Sequence, residues 1–228
     1  MYLKCGILLV FVFLISACKE NSYDAPKTGS FPFDSISSVD TNLDNMRSNI
    51  GRAIWQKPGL VIEKLGDISD KVIADIGAGT GYFSFKLALK AKKVIAVEIE
   101  QGLLDYIDST KVMLPANRRS RIETRLASPD DPHLEAGEVD IILIINTIAY
   151  INDLPEYLQT LKKCLKKDGK IMIIDYKMKR LPINSPPKTE RVYLDHLEDV
   201  LIDAGYKILK VDDTSLDYQY IIKAEKIN

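Results

Sequence analysis

The chain predicts an α/β domain whose sheet is largely parallel and covered by helices on both faces. Three observations carry this. Short apolar runs alternate with helical patterns from about residue 70 onward, the order expected of repeated β-α units. The run Val139 to Ile145 is apolar almost throughout, as a strand buried on both faces must be. The last two strand signals lie too close together for a crossover helix, so they should pair antiparallel.

The elements follow in order. Strand signals fall at Lys71 to Ile76, Lys93 to Glu98, Arg121 to Ala127, Val139 to Ile145 and Lys170 to Asp175. Helical patterns cover Tyr82 to Lys90, Gly102 to about Val112, and Asp153 to Lys167. The third opens on an Asn152-Asp153 cap signal and stops at Asp168-Gly169. Thr189 to Ala204 reads as a helix halted by Gly205, followed by strands at Tyr206 to Val211 and Tyr218 to Lys223.

At 228 residues there is room for one domain. The 31 Lys and Arg residues nearly balance the 32 Asp and Glu, so no broad basic field invites nucleic acid as a partner. Of three cysteines, Cys164 continues a helical apolar pattern with Leu154, Leu158 and Leu161, which makes it a small core residue. No Cys or His cluster has metal-ligand spacing, so no metal is expected.

The first residues depart from that average. Lys4 precedes an apolar run from Cys5 to Ala17, too short to cross a bilayer and shaped like a secretory signal. Its end, Leu14-Ile15-Ser16-Ala17-Cys18, resembles the lipobox of bacterial lipoproteins, in which the cysteine is acylated and becomes the first mature residue. That resemblance implies residues 1–17 as signal peptide, lipidation at Cys18, and anchoring to a bacterial membrane outside the cytoplasm. Residues 18–45, rich in Ser, Asp, Asn, Gly and Pro, read as a flexible tether. Residues 46–228 are then the folded domain.

The most informative segment is Asp75-Ile76-Gly77-Ala78-Gly79-Thr80-Gly81-Tyr82. Alternate glycines straight after a strand permit a sharp turn and close backbone approach to a ligand. A dinucleotide loop would read G-x-G-x-x-G, whereas here the third glycine comes one residue early. Glu98, at the end of the second strand, is placed to accept hydrogen bonds from both hydroxyls of a ribose. An acid followed by G-x-G-x-G resembles motif I of the class I S-adenosylmethionine-dependent methyltransferases. The resemblance covers roughly residues 50 to 226. It implies a Rossmann-like, seven-stranded mixed sheet in the order 3-2-1-4-5-7-6, with S-adenosyl-L-methionine as cofactor.

By that resemblance the cofactor lies against Asp75, Gly77, Ala78, Gly79, Gly81, Tyr82, Glu98 and Ile99. The adenine falls beside Ser128-Pro129-Asp130-Asp131 after strand three, with Ser128, Asp130 and Asp131 alternatives for its amino group. Asn146 and Thr147, ending strand four, stand beside the methionine portion and the acceptor. Tyr82 either caps and packs or touches the cofactor. A narrower resemblance, to bacterial methyltransferases with export signals, is carried by Arg52-x-x-Trp55-Gln56-x-Pro58, Pro129-Asp130-Asp131-Pro132 and Tyr218-Gln219-Tyr220. Members of that group often carry paired histidines after strand four, where this chain has Ala149 and Tyr150. Trp55 is either a packing residue or a lid over the cofactor.

Methyl transfer from a sulfonium is an in-line displacement governed mainly by positioning, and a base is needed only for a protonated acceptor. Tyr150, Asp175 and Tyr176 are the candidate bases, while His133 and His196 sit in unpromising settings. The expected activity is methylation of a small-molecule or lipid-like acceptor by a monomeric enzyme. A lipid-anchored, non-catalytic domain that binds the cofactor or another nucleoside is the alternative. A dehydrogenase is disfavoured by the glycine spacing.

Overall fold

The computed structural model describes residues 51–227, so the signal, the lipidation site at Cys18 and the tether lie outside the described residues, as does the start of the predicted domain at residue 46. Two short helices open it, α1 (Arg52–Trp55) and α2 (Pro58–Leu65). There follow β1 (Val72–Ile76), α3 (Tyr82–Leu87), β2 (Lys93–Glu98), α4 (Gln101–Lys111), α5 (Ala116–Arg119), β3 (Ile122–Leu126) and β4 (Val139–Ile145). The remainder is α6 (Leu154–Cys164), β5 (Leu165–Tyr176), α7 (Leu194–Asp203), β6 (Tyr206–Asp212) and β7 (Gln219–Lys226), with 3₁₀ turns at Ile148–Tyr150 and Lys188–Glu190.

The strands form one seven-stranded sheet in the order β3-β2-β1-β4-β5-β7-β6. β1 to β5 are parallel, and β7 runs antiparallel between β5 and β6. This is the topology the sequence implied. Side-chain alternation divides the core cleanly. Ile142 and Ile144 of β4 face α6 and α7, packing with Leu158, Leu161, Leu197 and Leu201. Ile141, Leu143 and Ile145 face the other way, onto Val61, Phe83, Leu87 and Ile107. Cys164 is buried, its Sγ directed at the Thr160 and Leu134 carbonyls.

Several boundaries differ from expectation, among them the end of α3 at Leu87 and of β7 at Lys226, and two have a visible cause. α6 ends at Cys164 rather than Lys167, because Leu165 already pairs with Val139 in the sheet. The chain then shifts register before Lys170 joins Ile141, with Asp168 turning at φ 58. The start of α6 is as read, since the Asp153 carboxylate accepts from the Glu156 N–H at 3.2 Å. The helix expected from Thr189 begins only at Leu194. Upstream, the Arg191 guanidinium donates to the carbonyls of Lys177, Lys179 and Pro186 and to Ser185 Oγ, holding that segment as a loop.

In this order β1 and β4 are neighbours whose following connections diverge to opposite sides. The crevice beyond their carboxyl ends is where open α/β sheets bind ligands.

Candidate active site

The loop after β1 lies in that crevice. Gly77 and Ala78 donate their N–H groups to the Val97 carbonyl at 2.9 and 3.1 Å, which ties the turn to β2. Gly77 adopts φ 70, and a Cβ there would run into the Thr147 side chain. Gly79 adopts φ 57 with nothing within 4 Å of where its Cβ would be, so it opens onto the cavity it lines.

Glu98 converges on this turn directly. Its Oε2 accepts from the Gly79 N–H at 2.8 Å and its Oε1 from the Ile99 N–H at 2.8 Å. Oε1 also takes the Glu100 N–H at 3.4 Å, whereas Oε2 keeps a lone pair for a further donor, and the side chain edges a cavity of about 520 Å³. Ile99, Ser128 and Pro129 line that same cavity. Asp130 does not. Its carboxylate accepts from Ser128 Oγ at 2.8 Å and lines a neighbouring cavity with Asn152, Asp153 and Glu156. Asp131 accepts from the His133 N–H and lines neither.

A second cavity, about 290 Å³, shares Gly77, Thr147 and Tyr150 with the first and extends to Arg52, Asp75, Tyr82 and Asn146. Volumes of this size enclose ligands of drug-like mass. Asp75 is buried, accepts from Ser84 Oγ at 2.6 Å, and has its pKa pushed up to about 6 by desolvation. The Ser84 hydroxyl and the nearby Arg52 guanidinium pull that value down and the Glu98 charge adds to it. Gly81 caps α3 and Tyr82 opens it. The Tyr82 ring lies under both Arg52 Cζ and Lys86 Nζ, each 4.5 Å from its centroid, and its buried hydroxyl has no hydrogen-bond partner. Tyr82 therefore packs and also faces the cavity.

A third cavity of about 310 Å³ adjoins through Asn146 and Tyr150 and is otherwise lined by Tyr176, Asn184, Ser185 and Pro186. The three base candidates stand differently around it. Asp175 points to the opposite sheet face, is buried, and lines none of the three cavities. Burial lifts its pKa to about 6, and Oδ2 lacks a hydrogen-bond partner. Tyr176 lines the third cavity, yet burial pushes its phenol up to about 12, and Tyr150 is shifted up as well. Burial thus disfavours the phenolate form of both.

The sequence quoted Arg52, Gln56 and Gln219 without assigning them work. The structure joins them. Arg52 Nε donates to Gln56 Oε1 at 2.7 Å, and Gln56 Nε2 donates to Gln219 Oε1 at 2.9 Å. Gln219 Nε2 then donates to Asn146 Oδ1 in a short contact. Gln56 and Gln219 are fully buried. Asn146 itself sits at φ 59, a conformation costing a non-glycine residue about 1 kcal/mol or more. Trp55 stacks its ring at 6.1 Å from Tyr176 and 6.4 Å from Tyr218, so it packs beside the third cavity.

These residues fit the cofactor that the fold implies. Gly79 leaves room for a ligand against bare backbone, Glu98 offers acceptors for a diol, and Arg52 with Asp75 offers opposite charges for an amino acid.

Comparison with known proteins agrees. Residues 74–173 match the family model described as a methyltransferase domain. A methyltransferase of Dictyostelium discoideum is 25% identical over 168 residues, 73% of this chain and 59% of that protein. Phosphoethanolamine N-methyltransferase 1 of Arabidopsis thaliana is 22% identical over 178 residues, 72% of this chain and 34% of that one. Among solved structures, a SAM-dependent methyltransferase from Aquifex aeolicus superposes with a TM-score of 0.74 at 19% identity, covering 85% of this chain and 100% of that one. The chain spans 34% to 59% of the length of several curated relatives. Topology and match together give residues 74–173 a methyltransferase-domain likeness within a sheet of the order that S-adenosylmethionine-dependent methyltransferases share, and that likeness implies S-adenosylmethionine as cofactor.

Proposed function

We propose that the protein transfers a methyl group from S-adenosylmethionine to a small acceptor seated in the third cavity. The observation that carries this is the hydrogen bond between the Glu98 carboxylate and the Gly79 N–H, which puts ribose acceptor and glycine turn at one place. When bound, the cofactor supplies an electrophilic methyl group on a sulfonium. Glu98 holds the ribose, with Ile99, Ser128 and Pro129 around the base. Arg52 and Asp75 hold the amino-acid end with Thr147 lining the same cavity, while Asn146 and Tyr150 border both cofactor and acceptor. Alignment of the reacting groups supplies the catalysis, for which no proton relay is required. Calorimetry with S-adenosylmethionine, S-adenosylhomocysteine and NAD, followed by incorporation of labelled methyl into extracts, tests this. Binding of the first two with exclusion of NAD is expected, and preference for NAD would refute it.

The Asp75 carboxyl gives this reading a pH signature. Its raised folded pKa means it favours stability below the ordinary aspartate value of about 4, and that contribution is lost as pH rises through about 6. A cofactor ammonium beside it lowers that pKa, so binding expels a proton in acid. Affinity for S-adenosylhomocysteine should therefore rise as pH goes from 5 to about 7 and then level off. Asp75→Asn should flatten the profile, and an unchanged profile in that variant would place the ammonium elsewhere.

The Ser16-Ala17-Cys18 sequence further supports a lipid-anchored protein facing outward from a bacterial membrane. Cys18→Ser should abolish labelling by radioactive palmitate and release the protein from membranes. An unlabelled wild type would remove the anchor from the account.

A further inference from the structure

The relay that ends on Asn146 has a fixed polarity. An arginine can only donate, so the atom of Gln56 facing Arg52 Nε must be its oxygen. The nitrogen of Gln56 must then face Gln219, and each following amide is oriented in turn. The outcome is that Asn146 Oδ1 is committed to Gln219. Asn146 Nδ2 has no hydrogen bond among the described residues, and Asn146 borders both the second and the third cavities. The acceptor chamber therefore receives an N–H donor at its reacting edge, held by two fully buried glutamines.

The rest of that chamber points the same way. Its described lining holds no carboxylate and no imidazole. The cleft carboxylates Asp75, Glu98 and Glu100 line the other two cavities. The Tyr150 and Tyr176 phenols stay protonated at neutral pH and are hydrogen-bond donors to an anion. Behind the lining, the Arg191 guanidinium lies 6.0 Å from the Tyr176 ring and is bonded to Ser185 Oγ at 3.0 Å, while the Glu190 charge acts on Tyr150 and the buried Asp175 charge on both phenols. A site rich in donors and lacking a proton acceptor suits a nucleophile that arrives already deprotonated.

We propose that the acceptor is a small planar oxygen anion already ionised at neutral pH, a carboxylate above all, held through its lone pairs by Asn146 Nδ2–H. This rests on the methyltransferase reading above. The step balances without a base: an oxygen lone pair forms the C–O bond as the methyl–sulfur bond breaks and sulfur takes that electron pair. Negative oxygen and positive sulfonium are both neutralised, and no proton leaves. Gln56 and Gln219 are positioning residues, acting through Asn146.

The test uses the full chain saturated with S-adenosylhomocysteine, with benzoate and benzylamine as shape-matched probes of opposite charge. The Asn146 side-chain ¹⁵N–¹H₂ resonance pair is assigned by its loss in Asn146→Asp. Benzoate should bind at least about tenfold more tightly than benzylamine and shift that resonance pair. Asn146→Asp keeps one oxygen for Gln219 and turns the other on the cavity, so the preference should reverse. Gln219→Leu, with an unchanged near-ultraviolet circular dichroism spectrum, should weaken benzoate binding by freeing the Asn146 amide to rotate. Equal affinity for the two probes, preference for the amine, or an unmoved Asn146 signal at millimolar benzoate would overturn the proposal. Failure of S-adenosylhomocysteine itself to bind, read before any probe is added, would instead bring down the reading beneath it.

Discussion

Glu98→Ala should weaken S-adenosylhomocysteine binding by about a hundredfold, on the order of 3 kcal/mol, the worth of one or two hydrogen bonds to a charged acceptor. The same change removes the acceptor for the Gly79 N–H, so the loop loses its pin to the end of β2. The Gly77 and Ala78 bonds to the Val97 carbonyl remain, and they keep the turn folded. The thermal midpoint should therefore fall by only a few degrees. Glu98→Gln should be intermediate, since an amide has one acceptor oxygen where the carboxylate has two. Calorimetry on the three proteins checks the order.

Gly77→Ala should damage both fold and binding, whereas Gly79→Ala should damage binding far more than the fold. At Gly77 the added methyl meets the Thr147 side chain, a short β-branched group with little freedom to retreat. Overpacking of this kind costs about 1–3 kcal/mol, to which the left-handed φ adds about 1 kcal/mol. Displacing Thr147 also disturbs the wall common to the first two cavities. At Gly79 the methyl enters open space, so only the φ cost of about 1 kcal/mol falls on the apo domain. The methyl nevertheless occupies space that the ligand needs. Urea denaturation and calorimetry on both variants separate the effects, and equal destabilisation would show that the two glycines do the same job.

The parts of this site that were legible in the sequence are those with local causes. β2 and β4 begin and end where expected because Lys93, Glu98 and Val139 bound apolar runs that the sheet buries. The glycine loop and Glu98 were legible for a similar reason, as each lies at the end of a strand in one β-α-β unit. The end of α6 was misread because Lys166 and Lys167 suit a helix, and only pairing of Leu165 with Val139 pulls the chain into the sheet. α1 and α2 left no clear period, being short and preceded by Gly51 and Lys57 at positive φ. The relay could not be foreseen. Gln56 and Gln219 are 163 residues apart and Gln219 and Asn146 are 73 apart, so only tertiary structure brings them together. The face of β5 to which Asp175 points was not legible either, because it depends on how that strand sits in the sheet.

The most direct test is a thermodynamic cycle between Glu98 and the ribose hydroxyls. S-adenosylhomocysteine and its 2′-deoxy analogue are titrated into the wild-type protein and into Glu98→Ala. If the carboxylate and the glycine turn grip one nucleoside, the missing hydroxyl weakens binding to the wild type by about tenfold but scarcely affects binding to the variant. Equal losses in the two proteins would mean that Glu98 does not touch the ribose, and the site would have to be placed elsewhere in the cleft.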